Sequence, residues 1–464
     1  MAPSAVPASQ QDDVNLTAAA IHRKEAAQPA TKPHPNGHSN GNGVAKVAPL
    51  DASLLTYTLT ENPRPVPDEA VANAGDETVA TDHMVTAVWR ASTGWATPEL
   101  KPYGPLSLMP TASCLHYATE CFEGLKVFRG YDGKLRIFRP DRNAKRMHMS
   151  AGRISLPLFE PAELEKLMVA LLSVDGPRWL PKDKPGNFLY LRPTLIGTQS
   201  QLGVQAPKEA MLYIIVTFMP RMDSPPGGMR LHTSPEDMVR AWVGGFGYAK
   251  VGANYGPSLM ATQDARRRGY HQILWLYGEQ GECTEAGASN FFIVWKRKDG
   301  QKELITAPLD DKLILDGVTR RSCIEVAKER LAGEIEVTER KYTIAELIEA
   351  DAEGRILESF AAGTAVGHVR SATPVVPFAD LSSTSSAPCL RFITAVRTST
   401  SQWVQRALPA RSPVRSRAGS ATSCTAASST RGASSFPRRS PGLPRTKSEP
   451  SAPGGRHFPL MGDV

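Results

Sequence analysis

Lys250 stands among five glycines. Gly244, Gly245, Gly247, Gly252 and Gly256 surround it over residues 241–256, and Tyr255 follows it by five positions. Glycine lets a backbone bend and lets a bulky group approach closely. A lysine held against such a group, away from water, has a lowered pKa and acts as an amine nucleophile, which is what a Schiff-base enzyme needs. The same stretch also reads as a glycine-rich loop with a solvated lysine. It is not a phosphate loop of the G-x-x-x-x-G-K-[ST] kind, because Val251 follows the lysine and the glycine spacing differs.

Downstream lie the other parts such a lysine requires. Glu285 sits in Glu282-Cys-Thr-Glu285-Ala-Gly-Ala-Ser-Asn290, between two apolar runs. Leu315-Asp-Gly317-Val318-Thr319-Arg320-Arg321 reads as a glycine turn opening a helix. The free N–H groups and positive dipole end of such a helix suit phosphate. Gly363-Thr364-Ala365 is a second turn of small residues with a hydroxyl. Pyridoxal phosphate requires this combination: a lysine for its aldehyde, an acid that keeps its pyridine nitrogen protonated, and N–H and hydroxyl donors for its phosphate. Singly, Glu285 reads as a surface turn residue and Thr319 as a plain N-cap. Their occurrence together with Lys250 carries the reading.

From about residue 50 to about residue 366 the chain resembles the branched-chain aminotransferases of the eukaryotic type, fold-type IV enzymes that use pyridoxal 5'-phosphate. The resemblance rests on Thr81-Asp-His-Met84, Leu115-His-Tyr117, Phe122-Glu-Gly124, Phe138-Arg-Pro140, Tyr190-Leu-Arg-Pro193, Lys250-Val-Gly-Ala-Asn-Tyr-Gly-Pro-Ser258, Leu274-Trp-Leu-Tyr-Gly278, Gly317-Val-Thr-Arg-Arg321 and Gly363-Thr-Ala365. It implies a small α/β N-terminal domain and a larger pseudo-barrel C-terminal domain. It also implies transamination between Leu, Ile or Val and 2-oxoglutarate, giving branched-chain 2-oxo acids and L-glutamate, in synthesis or breakdown. By the same resemblance, Lys250 holds the cofactor as a Schiff base and moves the proton between the substrate Cα and the cofactor's C4′. Tyr255 binds the cofactor's phenolic oxygen and Glu285 its pyridine nitrogen. Arg146, Val318, Thr319 and Thr364 hold the phosphate. Tyr117, Phe122, Tyr190 and Arg192 shape the substrate side, and N–H groups near Thr364 and Ala365 receive the substrate carboxylate. Leu202 and Val204 match a loop that reaches into a partner subunit's pocket, implying a homodimer. Three positions depart from the family pattern: Asp76 and Ala80 stand where aromatic residues are frequent, Arg221-Met-Asp-Ser replaces an aromatic-bearing linker, and no C-x-x-C follows Ala365. The competing readings are a related fold-type IV enzyme, a D-amino-acid transaminase or a lyase, and an inactive chain lacking the family's C-terminal ending.

These residues need elements to position them. Periodicity predicts a strand over 85–89, a helix over 115–124 that stops at Gly124, and a hairpin of 126–129 and 134–138 turned at Asp132-Gly133. It predicts helices over 140–152 and 161–174 and strands over 187–196 and 210–218. Beyond the breaker run Pro220-Arg-Met-Asp-Ser-Pro-Pro-Gly-Gly228 come a helix over 258–269, strands over 272–277 and 290–295, and a helix over 319–331. A last helix over 343–350 is opened by a Thr343/Glu346 capping box. The expectation is an α+β protein of two domains, 51–219 and 230–380, joined by a linker at 220–229, with disordered segments at 1–50 and 381–464.

The net charge of +8 belongs to that last segment. Of 54 basic and 46 acidic residues, twelve and two respectively lie after Asp380, so the remainder carries 42 against 44. No acidic residue occurs between Asp380 and Glu449, and apolar periodicity is lost, which suits an out-of-frame translation or a retained intron. The basic excess has no nucleic-acid-binding signature around it, so no nucleic-acid partner is expected. The six cysteines include no C-x-x-C pair, and His34 and His38 lack acidic or cysteine partners, so no metal site is expected. No apolar run is long enough to span a bilayer, so no membrane partner is expected. A cytoplasmic location is expected, with His22-Arg23-Lys24 keeping a mitochondrial one as the minority reading.

Overall fold

The computed structural model describes residues 47–68, 78–218 and 228–364, and the backbone of 396–398. The N-terminal extension through residue 46, Asp76, the linker over 220–227 with Arg221, Ala365, and the basic tail apart from 396–398 lie outside the described residues.

The first half builds a nine-stranded sheet from β1 (Thr56–Tyr57), β2 (Ala80–Arg90), β3 (Gly94–Trp95), β4 (Glu99–Pro102), β5 (Glu120–Phe122), β6 (Leu125–Arg129), β7 (Leu135–Ile137), β8 (Phe188–Gly197) and β9 (Glu209–Thr217). Its order is β1-β4-β2-β9-β8-β6-β7, with β3 on β2 and β5 on β8. Alternation sets the faces: Leu189 and Leu191 on β8, and Leu212, Ile214 and Val216 on β9, are buried in one core. Three helices accompany this sheet: α1 (Ser113–Tyr117), α2 (Pro140–Arg153) and α3 (Pro161–Trp179). Leu164, Leu167, Met168 and Leu171 recur at helical spacing on α3 and are fully buried.

The expected helix over 115–124 is corrected. Ala118 takes φ +48°, a left-handed conformation that ends α1 at once. The chain then runs antiparallel to β8, with Cys121 opposite Leu195. Leu115 and Tyr117, part of the apparent helical face, are exposed, whereas Cys121 is fully buried. Burial of Cys121 and the sheet hydrogen bonds override the spacing.

The second half builds an eight-stranded sheet from β10 (Leu231–Thr233), β11 (Gln272–Tyr277), β12 (Glu282–Ala286), β13 (Ser289–Lys296), β14 (Lys302–Thr306), β15 (Glu336–Glu339), β16 (Ile356–Ala362) and β17 (Val396–Thr398). Its order is β10 to β15 in sequence, with β16 on the free side of β13 and β17 parallel to β16. Thus three residues of the segment read as a disordered tail form a strand, which pairs with the edge of β16 that β13 leaves uncovered. The helices are α4 (Ser258–Arg267), α5 (Val318–Arg330) and α6 (Ile344–Ala352). Thr343 and Glu346 make the expected capping box on α6. Phe292 on β13 and Phe360 on β16 stack with ring centroids 4.7 Å apart in the core under α5.

Leu171→Ala on α3 is expected to cost about 2–5 kcal/mol of unfolding free energy, read from the denaturant midpoint. Val169→Ala, 55% exposed on the same helix, should stay within about 0.5 kcal/mol. Equal effects would contradict the assigned buried face.

Candidate active site

Lys250 is held by its neighbours and its own backbone. Ala249 and Val251 are buried in the core of the first sheet, although the chain here belongs to the second half. Val251 forms an antiparallel bridge with Cys121 on β5. The Phe122 N–H donates to the Lys250 carbonyl at 3.1 Å, and the Lys250 N–H donates to Ser150 Oγ of α2 at 2.9 Å. Extended backbone alternates faces, so Lys250 points away from the core that holds Ala249 and Val251. Its Nζ lies 3.1 Å from Tyr255 Oη and 4.9 Å from the Phe122 ring centroid. Among the described residues no carboxylate pairs with it. A Cβ at residue 252 would lie 2.0 Å from Glu120 Oε1, so any side chain there requires Glu120 to move.

Glu285 is a buried strand residue on β12, not a surface turn residue. Its Oε1 accepts from Asn290 Nδ2 at 3.1 Å and from the Leu315 N–H at 3.0 Å. Its Oε2 forms an ion pair at 2.9 Å with Arg240 Nε. Arg240 also donates from Nη2 to the Leu313 carbonyl at 2.6 Å. An ionised carboxylate has about four acceptor directions, so one on Oε2 remains for an incoming donor.

The Asp316–Thr319 turn brings the third group. Gly317 precedes α5 with no side-chain cap. The first N–H groups of a helix have no partner inside it, and the dipole there favours an anion. Arg146 of α2 reaches this point, donating from Nη1 to the Asp316 carbonyl at 2.9 Å. The fully buried Glu123 holds Arg146 by two contacts of 2.7 Å, from Nε and Nη2, and Asn143 donates to Glu123 at 2.7 Å. Burial works against the charge of Arg146, and the Glu123 carboxylate outweighs it, so the guanidinium pKa is raised.

Arg192 lies over Phe122 and Tyr190, 4.7 and 5.2 Å from their ring centroids, and its Nη2 is 3.1 Å from Tyr190 Oη. Its Nε has no hydrogen-bond partner among the described residues. Phe122 also packs on Tyr255, with centroids 5.1 Å apart, so these rings adjoin the lysine. Tyr117 is placed elsewhere: its Oη accepts from the Gly203 N–H at 2.8 Å, between the exposed Leu202 and Val204. The structure joins Tyr117 to that loop. Thr364 follows β16 and is half-buried; Ala365 lies outside the described residues.

Sequence reasoning missed three contributors. Glu123 was quoted only within a motif. Arg240 carries a signal, a lone cation between Val239 and Ala241-Trp242 beside the glycine stretch. Asn290 carries only its position opposite Glu285, visible once the hairpin register is known.

Other chemistries are poorly served. Burial raises the thiol pKa of Cys121, Cys283 and Cys323, the last to about 12, so these are not thiolate nucleophiles. Among the described residues no cluster of His, Cys, Asp and Glu could hold a metal, and no helix is long and apolar enough to cross a membrane. The donor set fits pyridoxal phosphate: an amine beside a phenol, a buried carboxyl group with a free acceptor direction, and a helix start flanked by an arginine.

Comparison with known proteins agrees. The family description Amino-transferase class IV matches residues 120–356. The mitochondrial branched-chain-amino-acid aminotransferase of Schizosaccharomyces pombe is 46% identical over 68% of this chain and 73% of its own length. The cytosolic branched-chain-amino-acid aminotransferase of Saccharomyces cerevisiae is 46% identical over 69% and 84%. The crystal structure of the branched-chain aminotransferase of Thermoproteus uzoniensis with norvaline is 25% identical, covers 63% of this chain and 85% of that one, and has a TM-score of 0.48. Pyridoxal 5'-phosphate is the cofactor of this class. The chain belongs to the class IV aminotransferases.

Proposed function

We propose that the protein transfers the amino group of branched-chain L-amino acids to 2-oxoglutarate, yielding branched-chain 2-oxo acids and L-glutamate. The observation that carries the proposal is Lys250 Nζ, 3.1 Å from Tyr255 Oη and facing the Phe122 ring, with Arg192 stacked on the same ring. Residues 51–219 act as the small domain and 230–380 as the cofactor domain, joined at 220–229.

The bound cofactor supplies an electron sink for the bond electrons released when the substrate Cα proton leaves. Lys250 would hold the cofactor through its amine and carry that proton. Tyr255 would orient the amine through the 3.1 Å contact of its hydroxyl. Glu285 would accept from the pyridine N–H, its carboxylate oriented by Arg240, Asn290 and the Leu315 N–H. The N–H groups of Val318 and Thr319, with Arg146 and Thr364, would hold the phosphate. The backbone near Thr364 and Ala365 takes the substrate carboxylate.

Phe122 and Tyr190 give aliphatic side chains an apolar wall. Arg192 meets the second carboxylate of glutamate and 2-oxoglutarate with its unpartnered Nε. Tyr117, Leu202 and Val204 form an exposed group of the kind that closes a second copy's pocket, so the active form is read as a homodimer.

The purified chain loaded with cofactor should form L-glutamate from L-leucine and 2-oxoglutarate, with no turnover of D-amino acids. Lys250→Ala should lose both the turnover and the visible absorbance of bound cofactor. Turnover of D-amino acids alone would overturn the proposal. Arg192→Gln should raise KM for 2-oxoglutarate about tenfold while changing that for leucine far less. Arg240→Ala leaves the buried Glu285 charge without its cation and should cost about 3–5 kcal/mol of stability in denaturant melts. A loss under about 1 kcal/mol would show that Glu285 does not depend on this pair.

A further inference from the structure

Asn290 occupies a junction. It stands directly opposite Glu285 across β12 and β13, and on its other side it pairs with Ala362, the residue before Gly363-Thr364. Its side chain is buried. Its Nδ2 donates at 3.1 Å to Glu285 Oε1 and at 2.8 Å to the Leu315 carbonyl, at the start of the turn into α5. The Leu315 N–H returns to the same Glu285 oxygen at 3.0 Å. Its Oδ1 lies against Gly317: a Cβ built on that glycine would be 2.0 Å from Oδ1 and 3.2 Å from Cγ. Gly317 has an ordinary φ of −69°, so glycine is required there for room and not for backbone conformation. One amide therefore fixes the carboxylate and the helix start relative to each other, and it fits only because residue 317 lacks a side chain.

We infer that Asn290 is a positioning residue that couples the two ends of the cofactor site, aligning Glu285 for the pyridine nitrogen and the Gly317–Thr319 turn for the phosphate. The inference rests on the proposed role of Glu285. A rigid two-ended clamp of this kind holds both ends of a ligand at a fixed separation. A disturbance at Asn290 therefore reaches both ends, whereas Glu285→Gln keeps an oxygen that can accept from Asn290 and the Leu315 N–H and changes only the charge offered to the ring end.

The test uses the full chain and two probes: inorganic phosphate, which engages only the helix end, and pyridoxal 5'-phosphate, whose visible absorbance and its pH midpoint report the ring end. Asn290→Ala should weaken inorganic phosphate binding about tenfold and also shift the absorbance midpoint. Glu285→Gln should shift the midpoint and leave phosphate affinity within about twofold. Gly317→Ala should act like Asn290→Ala, and the double variant should lose much less than the sum of the two, because removing the amide removes the 2.0 Å clash and leaves only the 3.2 Å approach to Arg320 Cβ. If Asn290→Ala is poorly folded, Gly317→Ala reads the same coupling from the other side. A moved midpoint in Glu285→Gln with unchanged phosphate affinity in both Asn290→Ala and Gly317→Ala would overturn the coupling. An unmoved midpoint in Glu285→Gln would instead sink the ring role of Glu285, and the ring half of the inference with it. Additive losses in the double variant would overturn the shared contact.

Discussion

The site depends on how three residues cross from one half of the fold to the other. Ala249 and Val251 are buried with the first sheet's core, and the Lys250 backbone bonds to Phe122 on β5 and to Ser150 on α2. Packing on both sides and hydrogen bonds from two elements leave the lysine's main chain little freedom, while alternation directs its side chain outward. The cost of ordering a long side chain is then partly met in the folded protein before any ligand arrives. The rings of Phe122 and Tyr255 owe their contact to the same crossing, since β5 carries the first and the turn after Val251 carries the second.

Buried charge around the site is paired almost residue for residue. Glu123 holds Arg146, and Glu285 meets Arg240. Each pair sums to no net charge, so the attraction such a site exerts on an anion comes from directed donors, the bare N–H groups of α5 and the remaining guanidinium hydrogens, more than from bulk charge. A chain whose residues before 381 nearly balance, 42 basic against 44 acidic, is consistent with that economy. The pairs also explain why removing one partner is expected to cost more than the pair contributes: an orphaned buried charge has lost its water as well as its counter-ion.

Much of this was legible in residue order. The glycine-rich lysine stretch, Glu285, the Gly317 turn and most helices follow from spacing and turn chemistry, because those signals are local. What escaped was set by tertiary contact. The chain at 115–124 carries helical spacing, yet Ala118 in a left-handed conformation and the burial of Cys121 turn its second half into β5. The strands β14, β15 and β16 were not foreseen, because they are defined by pairing with β13 and with one another. Arg240 and Asn290 act through partners 45 and five positions away; only the folded ion pair shows the first to be near Glu285, and only the hairpin register shows the second to face it. Tyr117 matched its motif but is tied to the 202–204 loop, a distinction that no motif carries.

The proposed function sets a physical conflict on the substrate side, and on that reading Arg192 resolves it. One pocket has to take an aliphatic side chain in one half of the reaction and a carboxylate-bearing one in the other. A fully apolar wall would reject the carboxylate, and a solvated cation would waste the contact with Leu, Ile or Val. Guanidinium is planar, weakly hydrated across its faces and strongly donating at its edge. Stacked 4.7 Å from Phe122 and 5.2 Å from Tyr190, Arg192 presents its faces to rings, while its Nε edge stays without a partner among the described residues. On the proposed reading the face completes an apolar lining, and the guanidinium edge, with its buried and unpartnered Nε, is kept for a charge. Lysine at this position would keep the charge and lose the stacked plane, so the two substrate classes would no longer share one wall.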